Sequence, residues 1–229
     1  MNKIRKKHFN IKGRKTIIFL GMLCVGAGLF MGRISVHAWK VPDGYSIPEK
    51  VSQLAVVRYK GESRGRFQFY IKNKQGIWKK KFACTAWLGR RGIGKKREGD
   101  QKTPTGLYSL DQAFGILQNP GTKMPYVKVN SQHYWCGDSG SGYYNQLIRK
   151  DETRHDCSGE HLIDYKVVYD YAVSIGYNKM GKPGKGSAIF LHCSRNRATA
   201  GCVAIPKKYM KKVLKKLNPA SSPEILIYE

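Results

Sequence analysis

Acidic residues are scarce in this chain. Its 229 residues include 15 Asp and Glu against 42 Lys and Arg, a formal net charge of +27. A field of that sign attracts polyanions: nucleic acid, anionic lipid or an anionic wall polymer. Charge alone does not choose among them. No C-x-x-C spacing occurs among the 6 cysteines, which removes the common sulfur-rich zinc frameworks. No internal repeat or low-complexity tract is present, so an ordinary globular core is expected. A nucleotide loop is also missing. "GRRGIGKK", Gly89 to Lys96, follows the phosphate-loop spacing until its last position, where Lys96 replaces the Mg²⁺-binding hydroxyl. The "REGDQKTPTG" that follows cannot open a helix, so the segment reads as a glycine-rich connection between strands.

Long apolar runs are absent except for one. Lys3, Arg5, Lys6, Lys7, Lys12, Arg14 and Lys15 precede an uncharged run from Thr16 to Gly32. A basic flank before an apolar run is the layout of an export signal or an N-terminal anchor, and the positive-inside bias sends the remainder outward. The chain therefore divides into a basic cytoplasmic tail (1–15), a transmembrane anchor or signal segment (16–32), a linker (33–50) with two prolines and a glycine in "WKVPDGYSIPEK", and one domain (51–229). The expected location is the extracytoplasmic face of a membrane or the wall beyond it, anchored or secreted. Export removes nucleic acid as a partner. It leaves Cys84, Cys136, Cys157, Cys193 and Cys202 outside, an odd number, so at least one thiol stays unpaired.

From Val51 onward the pattern is mainly β. "SQLAVVRY" reads as a strand, and "RFQFYIKNKQGIWKKKFACTAWLG" as a hairpin around "NKQG". "YVKVNSQHYW" suggests a second hairpin. "VYDYAVSIGY" places Tyr169, Tyr171, Val173, Ile175 and Tyr177 on one face of a strand. "SAIFL" reads as a buried strand and "EILIY" as the last one. The clearest helix is "PKKYMKKVLKKLNP": Tyr209, Met210, Val213, Leu214 and Leu217 form an apolar stripe opposite six lysines, between Pro206 and Pro219. That lysine face is either simply solvated or a holder of anionic polymer.

The richest chemistry lies in "AIFLHCSRNRATAGCVAIP", Ala188 to Pro206. Alternation along a strand sends Ile189, Leu191 and Cys193 one way, and Phe190 and His192 the other. Cys193 then joins an apolar face, where a thiol acts as a small hydrophobe. Cys202 follows a polar loop and directly follows Gly201, which can take positive φ and present the next side chain and its N–H. Across that loop Cys202 can face His192, which would lower its thiol pKa. A metal site is disfavoured because His192, Cys193 and Cys202 do not share a face. A Cys193–Cys202 disulfide and a purely structural role for all three remain open on residue types alone.

Here the sequence resembles the YkuD-like L,D-transpeptidases of bacterial cell walls. Their pattern is a strand-end histidine, a loop, then S-H-G-C; the matching residues are His192 and Gly201-Cys202. "GKKREGDQKTPTGLYSLDQAFG" is similar to the family's T-P-x-G-x-[FY] block, and "YWCGDSGSGYYNQLI" and "CSGEHLIDYKVVYDYAVSIGYN" resemble one branch of it. Thr199 and Ala200 depart from the usual Ser-His, and Ala204 stands where Arg is common. The resemblance implies a mainly β, sandwich-like catalytic domain with few helices, no metal and no cofactor. It implies peptidoglycan stem peptides as substrate. A Cys202 thioester forms as the terminal D-alanine leaves, and a 3→3 cross-link follows; hydrolysis at the same site, or a degenerate wall-binding protein, are the alternatives. His192 would serve as base, Gly201-Cys202 as the oxyanion turn, and the Cys193 carbonyl would orient the imidazole. Tyr144, Asn145 and His161 are expected to line the substrate cleft. Carbapenems are the implied covalent inhibitors. Cys136 and Cys157 flank the cleft segment, and a disulfide between them would brace it.

Overall fold

The computed structural model describes residues 39–152 and 157–229. The expected anchor or signal segment, 16–32, lies outside the described residues, and among those residues no helix is long and apolar enough to cross a membrane.

Among the described residues, twelve strands and one α-helix form the domain. Strands β1 (Gln53–Gly61), β2 (Arg64–Lys72) and β3 (Trp78–Trp87) make an antiparallel meander. The turn between β2 and β3 is the expected one, its backbone N–H groups at Gln75 and Ile77 donating to the Asn73 side chain. Next come β4 (Gly106–Gly115), β5 (Tyr126–Lys128), β6 (His133–Cys136), β7 (Leu147–Arg149) and β8 (Gly159–His161). The chain ends with β9 (Ala172–Ile175), β10 (Phe190–Cys193), β11 (Val203–Ile205), helix α1 (Lys207–Lys216) and β12 (Glu224–Tyr228).

Nine strands share one sheet in the order β12-β1-β2-β3-β11-β10-β9-β4-β5, and a further β12–β4 pairing closes it on itself. The mainly β, few-helix expectation holds. The sandwich-like faces are opposite walls of one closed sheet, which leaves fewer free edges than two separate sheets would. Its interior is filled by alternate residues such as Ala55, Val57, Phe67, Phe69, Leu191, Val203 and Ile225. Helix α1 lays Met210, Val213 and Leu214 against that core, with Leu217 just beyond its end, so the predicted stripe is the packed face.

Three sequence expectations change. "YVKVNSQHYW" is not a hairpin: β5 pairs in parallel with β4 of the large sheet, whereas β6 joins β7 and β8 in a separate three-stranded sheet. The "VYDYAVSIGY" alternation holds only from Tyr171 onward. Residues Val168–Asp170 form a 3₁₀ turn that swings Tyr169 into a different cluster, with Phe114, Trp135 and Phe190. Finally, part of the stretch read as linker is packed. Trp39, Tyr45 and Ile47 cover Val51, Leu54, Val56 and Tyr70, with Trp39 and Tyr70 ring centroids 4.9 Å apart.

The small sheet is tied by the Cys136–Cys157 disulfide, Cα atoms 5.6 Å apart, packed against Ile148. Cys84, Cys193 and Cys202 are free thiols.

Candidate active site

The placement of Cys202 follows from strand parity. β10 and β11 run parallel with Leu191 opposite Val203, His192 opposite Ala204 and Cys193 opposite Ile205. Extending that register by one residue sets Cys202 beside Phe190, and the Phe190 N–H donates to Cys202 Sγ at 3.3 Å. Side chains alternate, so Phe190, His192, Cys202 and Ala204 share one face. Leu191, Cys193, Val203 and Ile205 enter the main core on the other. Cys193 is thus buried away from His192, and its thiol donates to the Tyr171 carbonyl at 3.5 Å.

Parallel neighbours usually need a long crossover. Here the strands hold only four and three residues, so the polar loop between them returns the chain directly. The Thr199 hydroxyl accepts from the Gly201 N–H at 3.1 Å and donates to the Cys202 carbonyl at 2.7 Å. The Thr199 N–H donates to Leu88, and the Thr199 carbonyl accepts from Arg90. The departure from Ser at this position therefore keeps a hydroxyl with a structural task. Gly201 has φ of 149°, and a Cβ there would meet the Lys102 carbonyl at 3.0 Å and Ile189 Cδ1 at 3.2 Å. Gly201→Ala is accordingly expected to lower stability by roughly 1–3 kcal/mol and to shift Cys202. A thermal melt matching the wild type would contradict this.

His192 is held by its neighbour's backbone. Its Nδ1 lies 2.9 Å from the Cys193 carbonyl. A carbonyl only accepts, so Nδ1 carries the proton and Nε2 presents a lone pair. Tyr169 packs edge-on against the imidazole, ring centroids 5.6 Å apart at 84°. Burial pulls the His192 pKa down to about 4, against a smaller upward pull from the Cys193 hydrogen bond.

The thiol departs from expectation. Burial pushes the Cys202 pKa up to about 12, and the Glu160 carboxyl adds to the rise. The resting pair is therefore a neutral thiol and a neutral imidazole, not an ion pair: a buried neutral histidine offers no positive charge to draw the proton off. The thiol donates to the Ala188 carbonyl at 3.2 Å.

His192 and Cys202 line one cavity of about 380 Å³ together with Arg90, Tyr169, Arg195 and Arg197. On its other side Cys202 borders a second cavity of about 340 Å³, with Glu98, Trp135, Gly137 and Gly201. Glu160 reaches both. Its carboxyl accepts from the Tyr169 hydroxyl, and burial raises its pKa.

The three residues expected to line the cleft lie outside both cavity linings. Tyr144 is buried, with its hydroxyl donating to Glu98 at 2.6 Å. Asn145 holds the scaffold: its Oδ1 accepts from Trp135 Nε1 and from the Ala188 N–H, both at 3.0 Å, and its Nδ2 donates to the Tyr177 and Asn178 carbonyls. It thereby fixes Ala188, whose carbonyl receives the Cys202 thiol. His161 stacks on Tyr134 at 4.2 Å, with Asp164 on Nδ1 and the Ser131 carbonyl on Nε2. Parity explains that miss. Glu160 and His161 are adjacent on β8 and project to opposite faces; the carboxylate enters the site and the imidazole leaves it. Tyr169, Thr103 and Ala188 were also missed. Thr103 is fully buried and bridges the Gly89 N–H to the Cys202 carbonyl. Only its place in the T-P-x-G block hinted at this.

Among the described residues no cluster of His, Cys, Asp and Glu is arranged to hold a metal ion. The family model for the YkuD L,D-transpeptidase catalytic domain matches residues 55–225. The chain belongs to the YkuD family. The YkuD domain is also similar to the solved structure of the helical cell shape determining protein Pgp2 from Campylobacter jejuni: 19% identity, TM-score 0.43, covering 78% of this chain and 48% of that one. A point variant of the same protein gives 20% identity and a TM-score of 0.41, covering 78% and 47%. The chain thus spans about half the length of those structures. No curated protein matches it.

Proposed function

We propose that this YkuD domain is a cysteine-dependent L,D-transpeptidase acting on peptidoglycan stem peptides outside the cytoplasmic membrane. One observation carries the reading: the β10–β11 register sets Cys202 and a correctly tautomerised His192 on one face, at the wall of one cavity, in a chain of this family.

The residues divide the work as follows. A stem peptide enters and the Cys202 thiol turns from the Ala188 carbonyl toward His192 Nε2. His192 takes the proton as Sγ attacks the carbonyl of the third stem residue. The backbone N–H of Cys202, presented by the Gly201 turn, faces the developing oxyanion. The carbon–nitrogen bond to the terminal residue breaks, and His192 returns its proton to the departing amine. An amine from a neighbouring stem then attacks the thioester, gives its proton to His192, and restores the thiol. The Cys193 carbonyl keeps the imidazole oriented throughout, while the Cys193 sulfur has no part. No cofactor or metal enters these steps. Tyr144 and Asn145 act behind the site, through Glu98 and Ala188. The lysine face of α1, five residues besides the Lys207 that pairs with Asp170, would hold the enzyme on anionic wall polymer, and that attachment would weaken with salt.

The test is incubation of the full-length protein with purified muropeptides, followed by mass spectrometry. A 3→3 cross-linked dimer with loss of the terminal residue is the expected product. Trimmed peptide without dimer would reassign the enzyme as an L,D-carboxypeptidase, and unchanged muropeptides would overturn the proposal.

A further inference from the structure

The cavity shared by His192 and Cys202 has a cationic lining of one kind. Arg90, Arg195 and Arg197 border it and, among the described residues, no lysine does; the Glu160 carboxyl lies on the same lining. This is not the composition of the chain, which has 29 Lys among its 42 basic residues; a larger cavity elsewhere, of about 520 Å³, is bordered by five lysines and no arginine. None of the three guanidinium groups is in an ion pair among the described residues. Arg195 donates to the Lys166 carbonyl at 2.7 Å, and Arg90 reaches Gln101 at 3.4 Å. All three residues are exposed. Guanidinium differs from ammonium in offering a planar fork that matches a carboxylate with two parallel hydrogen bonds. Ala204 sits opposite His192 in the ladder and contributes only a methyl group to the lining of the same cavity.

Reaction geometry fixes which carboxylate this is. The amine that leaves must collect a proton from His192, and His192 borders this cavity but not the second one. The leaving residue therefore occupies the arginine side, and the acyl portion extends across Cys202 into the other cavity. A leaving terminal amino acid carries its carboxylate one carbon from the nitrogen that departs. We propose that Arg195 and Arg197, with Arg90 behind them, bind the free C-terminal carboxylate of the donor peptide and so restrict the enzyme to removal of a terminal residue. This rests on the transpeptidase reading above and deepens it: a peptide bond inside a longer or already cross-linked stem presents no carboxylate there.

The experiment uses full-length protein and two synthetic stem tetrapeptides, one ending in free D-alanine and one in D-alaninamide. Release of the terminal residue is followed for each. The expected wild-type result is a preference in kcat/KM of roughly ten- to a hundredfold for the free carboxylate, the range set by hydrogen bonds to a charged group. Arg197→Gln, and Arg195→Gln with Arg197→Gln together, should collapse that ratio toward one by loss on the carboxylate peptide. Arg197→Lys should restore only part of it. A variant that merely folds poorly would lose both activities and keep the ratio, which counts against the proposal. Equal use of the two peptides by the wild type overturns the carboxylate site and leaves the cysteine mechanism standing. Release from neither peptide removes the mechanism, and the proposal with it.

Discussion

Cys202→Ser is expected to abolish turnover of stem peptides, by roughly a thousandfold or more, while Cys193→Ala keeps most of the activity. Both thiols are buried and both have pKa values pushed up to about 12 by that burial, so neither stands out by acidity. Position separates them. Cys202 shares a face and a cavity with His192; Cys193 lies in the main core, bonded to the Tyr171 carbonyl. A serine hydroxyl at 202 would meet the same neutral imidazole without the sulfur's nucleophilicity. Removing the Cys193 sulfur leaves its carbonyl, the part that orients His192, and costs the core one small buried atom. Steady-state release of the terminal residue by the two variants checks this. Equal loss in both would mean that the β10–β11 parity argument has picked the wrong sulfur.

The pH dependence should carry an equally large effect on the acid side. Burial depresses His192 to about 4. Above that value the imidazole is neutral and able to accept the thiol proton; below it, Nε2 is protonated and the base is lost. Activity is therefore expected to be flat across neutral pH and to fall tenfold per pH unit below the His192 value. The thiol adds no limb in the accessible alkaline range, since it stays protonated until about 12. His192→Ala should lower kcat/KM by roughly a hundred- to ten-thousandfold and erase the acid limb. A wild-type profile rising through pH 7 would show instead that a thiolate–imidazolium pair is the resting state.

Much of this was legible in the sequence. Alternation in "AIFLHC" placed Ile189, Leu191 and Cys193 together and His192 opposite them, and the ladder agrees. Gly201 announced a positive-φ turn, and the α1 stripe announced its packed face. What failed did so for identifiable reasons. The partner's type alone points the thiol pKa down, but its direction depends on burial, which one strand cannot report. Tyr169 left its alternation because a 3₁₀ turn interrupts the strand just before β9. Tyr144, Asn145 and His161 stand out in the sequence as polar and aromatic residues within the matching blocks, yet whether a side chain enters a cavity depends on parity and on pairing partners contributed from far along the chain. Asn145 is instructive: its hydrogen bonds to Trp135, Tyr177, Asn178 and Ala188 join four segments, and none of those partners is apparent from its neighbours. The same holds for Glu160, which borders both cavities and is one step along β8 from His161, which borders neither.

In the proposed mechanism Cys202, activated by His192, forms the covalent intermediate. Its most direct measurement is the intact mass of the full-length protein after treatment with a carbapenem, whose strained amide a thioester-forming thiol should open. The wild type should gain one adduct, and peptide mapping should place it on Cys202. Cys202→Ala should gain none, and His192→Ala should gain it slowly or not at all. An adduct on Cys193 or Cys84, with Cys202 unmodified, would contradict the account.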